Sequence, residues 1–213
     1  MHGRNQIGQP ALIFLLFSIF WSIALGLAEL WIGRNELHLT LNQLHWPIAD
    51  SFFQYLTHLG SGLVPTIVAV ALLFSNLRWA LTIGIANAFT SIIVQSAKHG
   101  LFSHMKRPTA LLSDQLYLPP NIDFHAHNSF PSGHSATAFC LGMCLLFMTT
   151  NRKLAIPVFF LFALTAYSRV YLSQHFTGDV AVGSIIGTGC ALVGFFAVNR
   201  LKYDRLEKGV FSK

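Results

Sequence analysis

Apolar positions along this chain gather into long runs, and the polar and charged positions collect between them. Six runs, at about 11–32, 61–76, 79–97, 132–149, 154–172 and 179–199, approach or reach the ~20 residues that carry an α-helix across a bilayer. The second is the most broken, because Gly60, Gly62 and Pro65 interrupt its start. Residues 46–59, from Trp46-Pro47 to Leu59, predict a separate helix that lies at the interface or leads into that span. No internal repeat, low-complexity tract or flexible linker divides the pattern. The expected fold is all-α: one integral membrane domain over residues 1–213, a bundle of six transmembrane helices with a large loop on one side.

Composition agrees. Of 213 residues, 53% are hydrophobic and 10% charged, against about 25% charged in soluble domains. Such a chain cannot cover a water-facing surface in the ordinary way. The net charge of +6 does not point to nucleic acid, because the basic residues sit at helix ends and in the tail Arg200, Lys202, Arg205, Lys208, Lys213. Cation placement of that kind suits cytoplasmic retention and anionic headgroups. If six helices alternate, Arg4, Arg78, Arg152-Lys153 and the tail share one side, which the positive-inside rule makes cytoplasmic. The opposite side receives residues 33–60, 98–131 and 173–178, and every histidine except His2 lies there or at its boundary. The first run is longer than the 7–15-residue core of a signal peptide and reads as a span, with Gly26-Leu27-Ala28 as the cleavage site of the alternative. Trp31, Trp46 and Trp79 suit interfacial anchoring, and Cys140, Cys144 and Cys190 lie inside apolar runs as packing residues.

Three polar stretches at span ends carry the chemistry. His175 and Asp179 are four residues apart at the start of the sixth helix and can share a face. A carboxylate at one imidazole nitrogen fixes the tautomer and frees the other nitrogen to attack. Arg169, just before this turn, offers a guanidinium that can fork two phosphoryl oxygens. In Pro131-Ser132-Gly133-His134, Ser132 is a natural helix cap, the backbone N–H groups at the helix start form an anion site, and His134 stands in the first turn. Beside a phosphate, His134 can hold a proton and deliver it to a leaving alcohol. Lys98 and Arg107-Pro108 add two more cations. Nucleophile, acid and fixed positive charge are what breaking a phosphate ester requires when no metal ion is used.

The set resembles the type 2 phosphatidic acid phosphatase superfamily, which includes the vanadium haloperoxidases and is described by Lys-x6-Arg-Pro, Pro-Ser-Gly-His and Ser-Arg-x5-His-x3-Asp. The second motif stands unaltered at 131–134, and the third at Ser168, Arg169, His175 and Asp179. The first departs, with eight residues between Lys98 and Arg107-Pro108, so Lys106 rivals Lys98. The resemblance implies His175 as the nucleophile forming a phosphohistidine, Asp179 as its orienter and His134 as general acid, then base on the hydrolytic water. Lys98, Arg107, Arg169, Ser132 and the Gly133 amide would bind phosphoryl oxygens, with no cofactor and no metal. It further implies a phosphorylated membrane lipid as substrate, of the undecaprenyl diphosphate, phosphatidylglycerophosphate, phosphatidic acid or lipid A type. The setting would be a bacterial cytoplasmic (inner) membrane, with the active site facing the periplasm. Two alternatives stay open: a lipid phosphotransferase using the same intermediate, and a transporter or channel with outer-face histidines.

Other polar residues invite less. His99, His104, His125 and His127, near Asp114 and Asp123, lack a tight metal-ligand spacing and read as solvated loop residues. Glu29, near the outer end of the first run, is expected to snorkel to the interface. The stretch Leu111 to Asn121, with Pro119-Pro120, is expected to shape the entrance for substrate.

Overall fold

The computed structural model describes residues 6–120, 122–201 and 203–210; His2, Arg4, Lys202 and Lys213, which entered the charge pattern above, lie outside them. Among the described residues there are helices and loops and no strand. The α-helices are α1 (Gln9–Ile32), α2 (Arg34–Asn42), α3 (Pro47–Leu56), α4 (Leu63–Leu73), α5 (Leu77–Ser96), α6 (Pro108–Leu112), α7 (Gly133–Phe147), α8 (Ala155–Tyr171) and α9 (Thr177–Asn199).

Four segments are long and apolar enough to cross a membrane: Gln9–Ile32, Leu77–Leu101, Arg152–Tyr171 and Thr177–Asn199. A fifth crossing exists if α3 and α4 count as one span broken by a 51° bend. The expected second span at 61–76 is thus shorter than expected, 11 residues of α4, because the chain enters it through a 3₁₀ turn at Thr57–Gly60. The sixth apolar helix, α7, has 15 residues, about 22 Å at 1.5 Å per residue, against the ~30 Å of a hydrocarbon core. Six apolar helices are present, and the count of full crossings is four or five.

Burial is arranged for lipid rather than water. On α1, Leu16, Phe20, Leu30 and Trp31 are exposed while Ser18 and Ser22 face inward; the Ser18 hydroxyl donates to the Phe14 carbonyl at 2.7 Å, and that of Ser22 has no hydrogen-bond partner. The core runs through α7, where Ala138, Phe139, Met143, Cys144 and Leu146 meet Phe14 of α1, Phe159 and Phe162 of α8 and Val180 of α9. The three cysteines are free and buried.

Glycine sets how closely α7 and α9 approach. A Cβ on Gly183 would stand 2.4 Å from the Ser132 carbonyl oxygen, and one on Gly187 would stand 1.9 Å from that of Ala136. Two glycines four residues apart let one backbone lie directly on the other, the small-residue packing favoured between membrane helices. The Pro-Ser-Gly-His stretch at the start of α7 is thereby pressed against the helix that begins just after His175.

At the opposite end, Arg78 does more than mark charge. It is buried, donates to Glu207 Oε1 at 2.6 Å and to the Val198 carbonyl at 3.1 Å, and so ties the start of α5 to the end of α9.

Candidate active site

The three motif stretches converge on one cavity of about 580 Å³ at the end of the bundle where α7 and α9 begin. Lys98, Arg107, Gly133, His134, Arg169 and His175 all line it, although the chain separates the first from the last by most of the 98–179 interval. The 3₁₀ turn before α4 closes one wall. A Cβ on Gly60 would come within 2.8 Å of the His134 carbonyl oxygen, so that turn can seat against His134 only as glycine.

The cations are buried and largely surrounded by one another. Lys98 is 9% exposed and sits in a π-helical turn, Ala97–Leu101, that finishes α5; single π turns are frequent at functional sites. Lys106, its rival in the sequence, is exposed and stands outside the cavity. Arg169 donates from Nη1 to Thr57 Oγ1 at 2.7 Å, and its Nε has no protein acceptor. Arg107 donates from Nε to the His127 carbonyl at 3.0 Å and from Nη1 to both the backbone and side-chain oxygens of Gln174. Burial, opposed in part by the Asp179 charge, lowers the Arg107 pKa from its ordinary value. Uncompensated buried ions cost several kcal/mol each, so this arrangement favours an anionic ligand.

His175 is buried, and its pKa lies well below the ordinary imidazole value, first through burial and then through Lys98, Arg107 and Arg169. The ring is therefore neutral and keeps a lone pair. Its Nδ1 stands 3.4 Å from Asp179 Oδ2, within ion-pair range but without the alignment of a hydrogen bond. The opposite nitrogen, Nε2, is left for the cavity. Asp179 is itself fully engaged behind the ring: Oδ2 accepts from Ser129 Oγ and from the Phe176 backbone N–H, and Oδ1 accepts from Arg34 Nη2 at 3.0 Å.

Ser132 caps α7 as expected but does not stand where it could hold a phosphoryl oxygen. Its Oγ lies 2.8 Å from Ser135 Oγ and accepts from the Ser135 backbone N–H, capping α7, and the residue does not line the cavity. The Gly133 backbone takes that position. Glu29 also departs from the expected snorkelling: its Oε2 accepts from Thr177 Oγ1 at 2.6 Å and from the Gly178 N–H, closing the first turn of α9. Carboxylates are favoured at a helix N-terminus, and in an apolar setting this partner outcompetes the interface. Among the described residues, no three His, Cys, Asp or Glu side chains gather as metal ligands. Of the loop residues set aside in the sequence, His125 and Asp123 line the cavity.

Four contributors carry no sequence motif: Thr57, Ser129, Gln174 and Arg34. Gln174, 3% exposed, is adjacent to His175 and also donates to the Asp123 carbonyl at 3.1 Å, linking Arg107 to the loop over the cavity.

The sequence model of the PAP2 superfamily matches residues 77–203, a stretch that holds every residue of the three motifs. The chain belongs to the PAP2 superfamily. Within it, a lipid A 4'-phosphatase from Bacteroides thetaiotaomicron is 26% identical over 177 residues, covering 78% of this chain and 77% of that relative. The undecaprenyl-diphosphatase BcrC of Bacillus subtilis is 31% identical over 107 residues, 43% of this chain and 53% of the relative. The crystal structure of Aquifex aeolicus LpxE superimposes with a TM-score of 0.64 at 30% identity, covering 75% of this chain and 92% of that one. A PAP2-type phosphatidylglycerolphosphate phosphatase from Bacillus subtilis shares the fold, with a TM-score of 0.54 at 20% identity over 89% of this chain and 94% of that one. This PAP2 protein is accordingly a multi-pass membrane protein.

Proposed function

We propose that this PAP2 protein is a lipid phosphatase that hydrolyses a phosphate ester or diphosphate on a membrane lipid through a phosphohistidine at His175. The observation that carries the reading is the cavity itself, where the two motif histidines, His134 and His175, and three buried cations from separate stretches face one volume. A volume of about 580 Å³ suits a headgroup, within the ~300–1,000 Å³ of small-molecule sites.

In the first step, His175 Nε2 attacks phosphorus and the bond from phosphorus to the leaving oxygen breaks. His134, whose pKa burial and the cavity cations lower to about 2 in the absence of an anion, gives that oxygen the proton it takes up beside the phosphoryl charge. Lys98, Arg107, Arg169 and the Gly133 N–H hold the phosphoryl oxygens as charge develops on them. In the second step, water attacks phosphorus, His134 takes its proton, and the nitrogen–phosphorus bond breaks. Asp179 stabilises the imidazolium between the two steps.

Arg152, Lys153, Arg200, Arg205 and Lys208 flank helix ends away from the cavity, which supports a cytoplasmic position for that side. The site then opens outward from a bacterial inner membrane. Among substrates, the relative named a lipid A 4'-phosphatase matches over the larger share of both chains, which supports a phosphorylated glycolipid of that type as the first to test. Purified wild type and His175→Ala are assayed on lipid A, undecaprenyl diphosphate, phosphatidylglycerophosphate and phosphatidic acid in ¹⁸O-labelled water. Wild type is expected to release labelled phosphate from at least one lipid, and His175→Ala to lose about 10³-fold or more. Equal release by the variant refutes the mechanism, and phosphate that appears on a second lipid with none released free points to transfer instead of hydrolysis.

A further inference from the structure

Helix α2 lies wholly outside the stretch matched by the family, and it has one face turned to the reacting centre. Arg34, His38 and Asn42 recur every four residues, so they form a single stripe. All three reach the segment that carries His175 and Asp179. Asn42 Nδ2 donates to Ser173 Oγ at 3.2 Å, and His38 Nε2 lies 3.2 Å from the same oxygen. Ser173 has φ of +53°, a left-handed conformation that a non-glycine residue keeps only when its surroundings hold it. His38 is buried, its pKa lowered to about 4 mainly by burial, so it serves this turn as a neutral ring.

Arg34 goes further and touches the carboxylate. Its Nη2 donates to Asp179 Oδ1 at 3.0 Å, and its guanidinium lies 4.0 Å over the Phe176 ring. Glu29 Oε1 stands 4.0 Å from Arg34 Nε. The Asp179 side chain is 2% exposed, and its bonds from Ser129 Oγ and the Phe176 N–H both fall on Oδ2, so without Arg34 its Oδ1 would have no partner. Arg34 holds Oδ1 while Ser129 and the Phe176 N–H hold Oδ2, which fixes the carboxylate plane with Oδ2 toward His175 Nδ1. The guanidinium also supplies a positive charge on the side of Asp179 away from the cavity cations. A planar, permanently charged fork suits a buried carboxylate better than a lysine does.

We propose that Arg34 is a positioning residue: it holds the Asp179 carboxylate in the plane that presents Oδ2 to His175, so that the His175 ring points Nε2 into the cavity. The inference rests on the phosphatase reading only for what His175 does next, and the test separates the two.

Wild type, Arg34→Ala and Arg34→Lys are compared in detergent for binding of orthovanadate and of inorganic phosphate. Orthovanadate takes an imidazole nitrogen as a fifth ligand and so reports the aim of His175, whereas phosphate reports the cations alone. Arg34→Ala is expected to weaken vanadate at least tenfold while phosphate changes less than twofold, and Arg34→Lys to recover part of the loss. With the lipid that wild type hydrolyses, Arg34→Ala is expected to lower kcat by about 10²-fold and leave KM within twofold. Equal weakening of both anions means a general collapse and overturns the proposal, as does no change in either. A raised KM at unchanged kcat makes Arg34 a headgroup contact and overturns it too. If wild type binds vanadate as described but hydrolyses no lipid, the functional reading fails while the Arg34 result still stands or falls on the vanadate ratio.

Discussion

Among single side chains, Lys98 and Lys106 offer the sharpest comparison. Both precede Arg107, and neither matches the family spacing. Burial separates them, since Lys98 lines the cavity and Lys106 faces outward. Lys98→Ala is expected to lower kcat/KM by about 10²-fold or more, as loss of a preorganised donor does, while Lys106→Ala stays within about twofold. Steady-state kinetics on the lipid found active decide this, and the reverse order would reassign the first motif. Spacing could not place Lys98, because the turn that carries it is π-helical and does not follow α-helical angles. His175 and Asp179 were legible because a four-residue interval is local information, although only Asp179 stands on α9 and His175 lies in the turn before it. Arg34, Thr57 and Ser129 reach the site across long stretches of chain, and nothing in a linear pattern marks such partners. Gln174 is the nearer miss, standing between Ser173 and His175 inside the third motif.

Between helices, the seam of α7 against α9 decides whether the two histidine-bearing stretches meet. Gly187→Ala would force a methyl group onto the Ala136 carbonyl oxygen. The backbones must then separate, with an overpacking cost of about 1–3 kcal/mol or more. Gly189→Ala meets nothing within 4 Å and should be silent. Thermal unfolding in detergent is expected to fall for the first and hold for the second, with phosphatase activity following the same order. Equal melting of both variants would show that the seam is looser than described. Helix positions were readable where hydropathy ran long, as in α1, α5, α8 and α9. Helix α2, with Arg34, Glu36 and His38, is too polar and short to announce itself, and α4 is curtailed by the glycines and proline at its start.

Across the whole molecule, orientation in the membrane is open to direct measurement. Ser103, in the loop after α5, and Asn151, between α7 and α8, are both exposed and sit on opposite ends of the bundle. The native cysteines are buried, so Ser103→Cys and Asn151→Cys each add one reactive thiol. In right-side-out vesicles an impermeant maleimide is expected to label the first and spare the second. Labelling of Asn151→Cys alone would invert the topology. Class, helical makeup and the triad of motifs were all visible from hydropathy and spacing. The inward turn of Glu29 was not, because it depends on the first turn of another helix lying beside it.

The shortness of α7 has one more effect. Its start packs on Gly183, inside α9 and not at its first residue Thr177, so under the proposed mechanism phosphorus would be handled below the end of that helix. A phosphorylated lipid reaches that depth by lowering its headgroup while its tails stay among their neighbours. A soluble phosphate ester of similar size would have to surrender its hydration with nothing apolar to bury in exchange. After cleavage the two products part company: inorganic phosphate climbs to water, and the shortened lipid drifts back into its leaflet, so neither obstructs the other's departure.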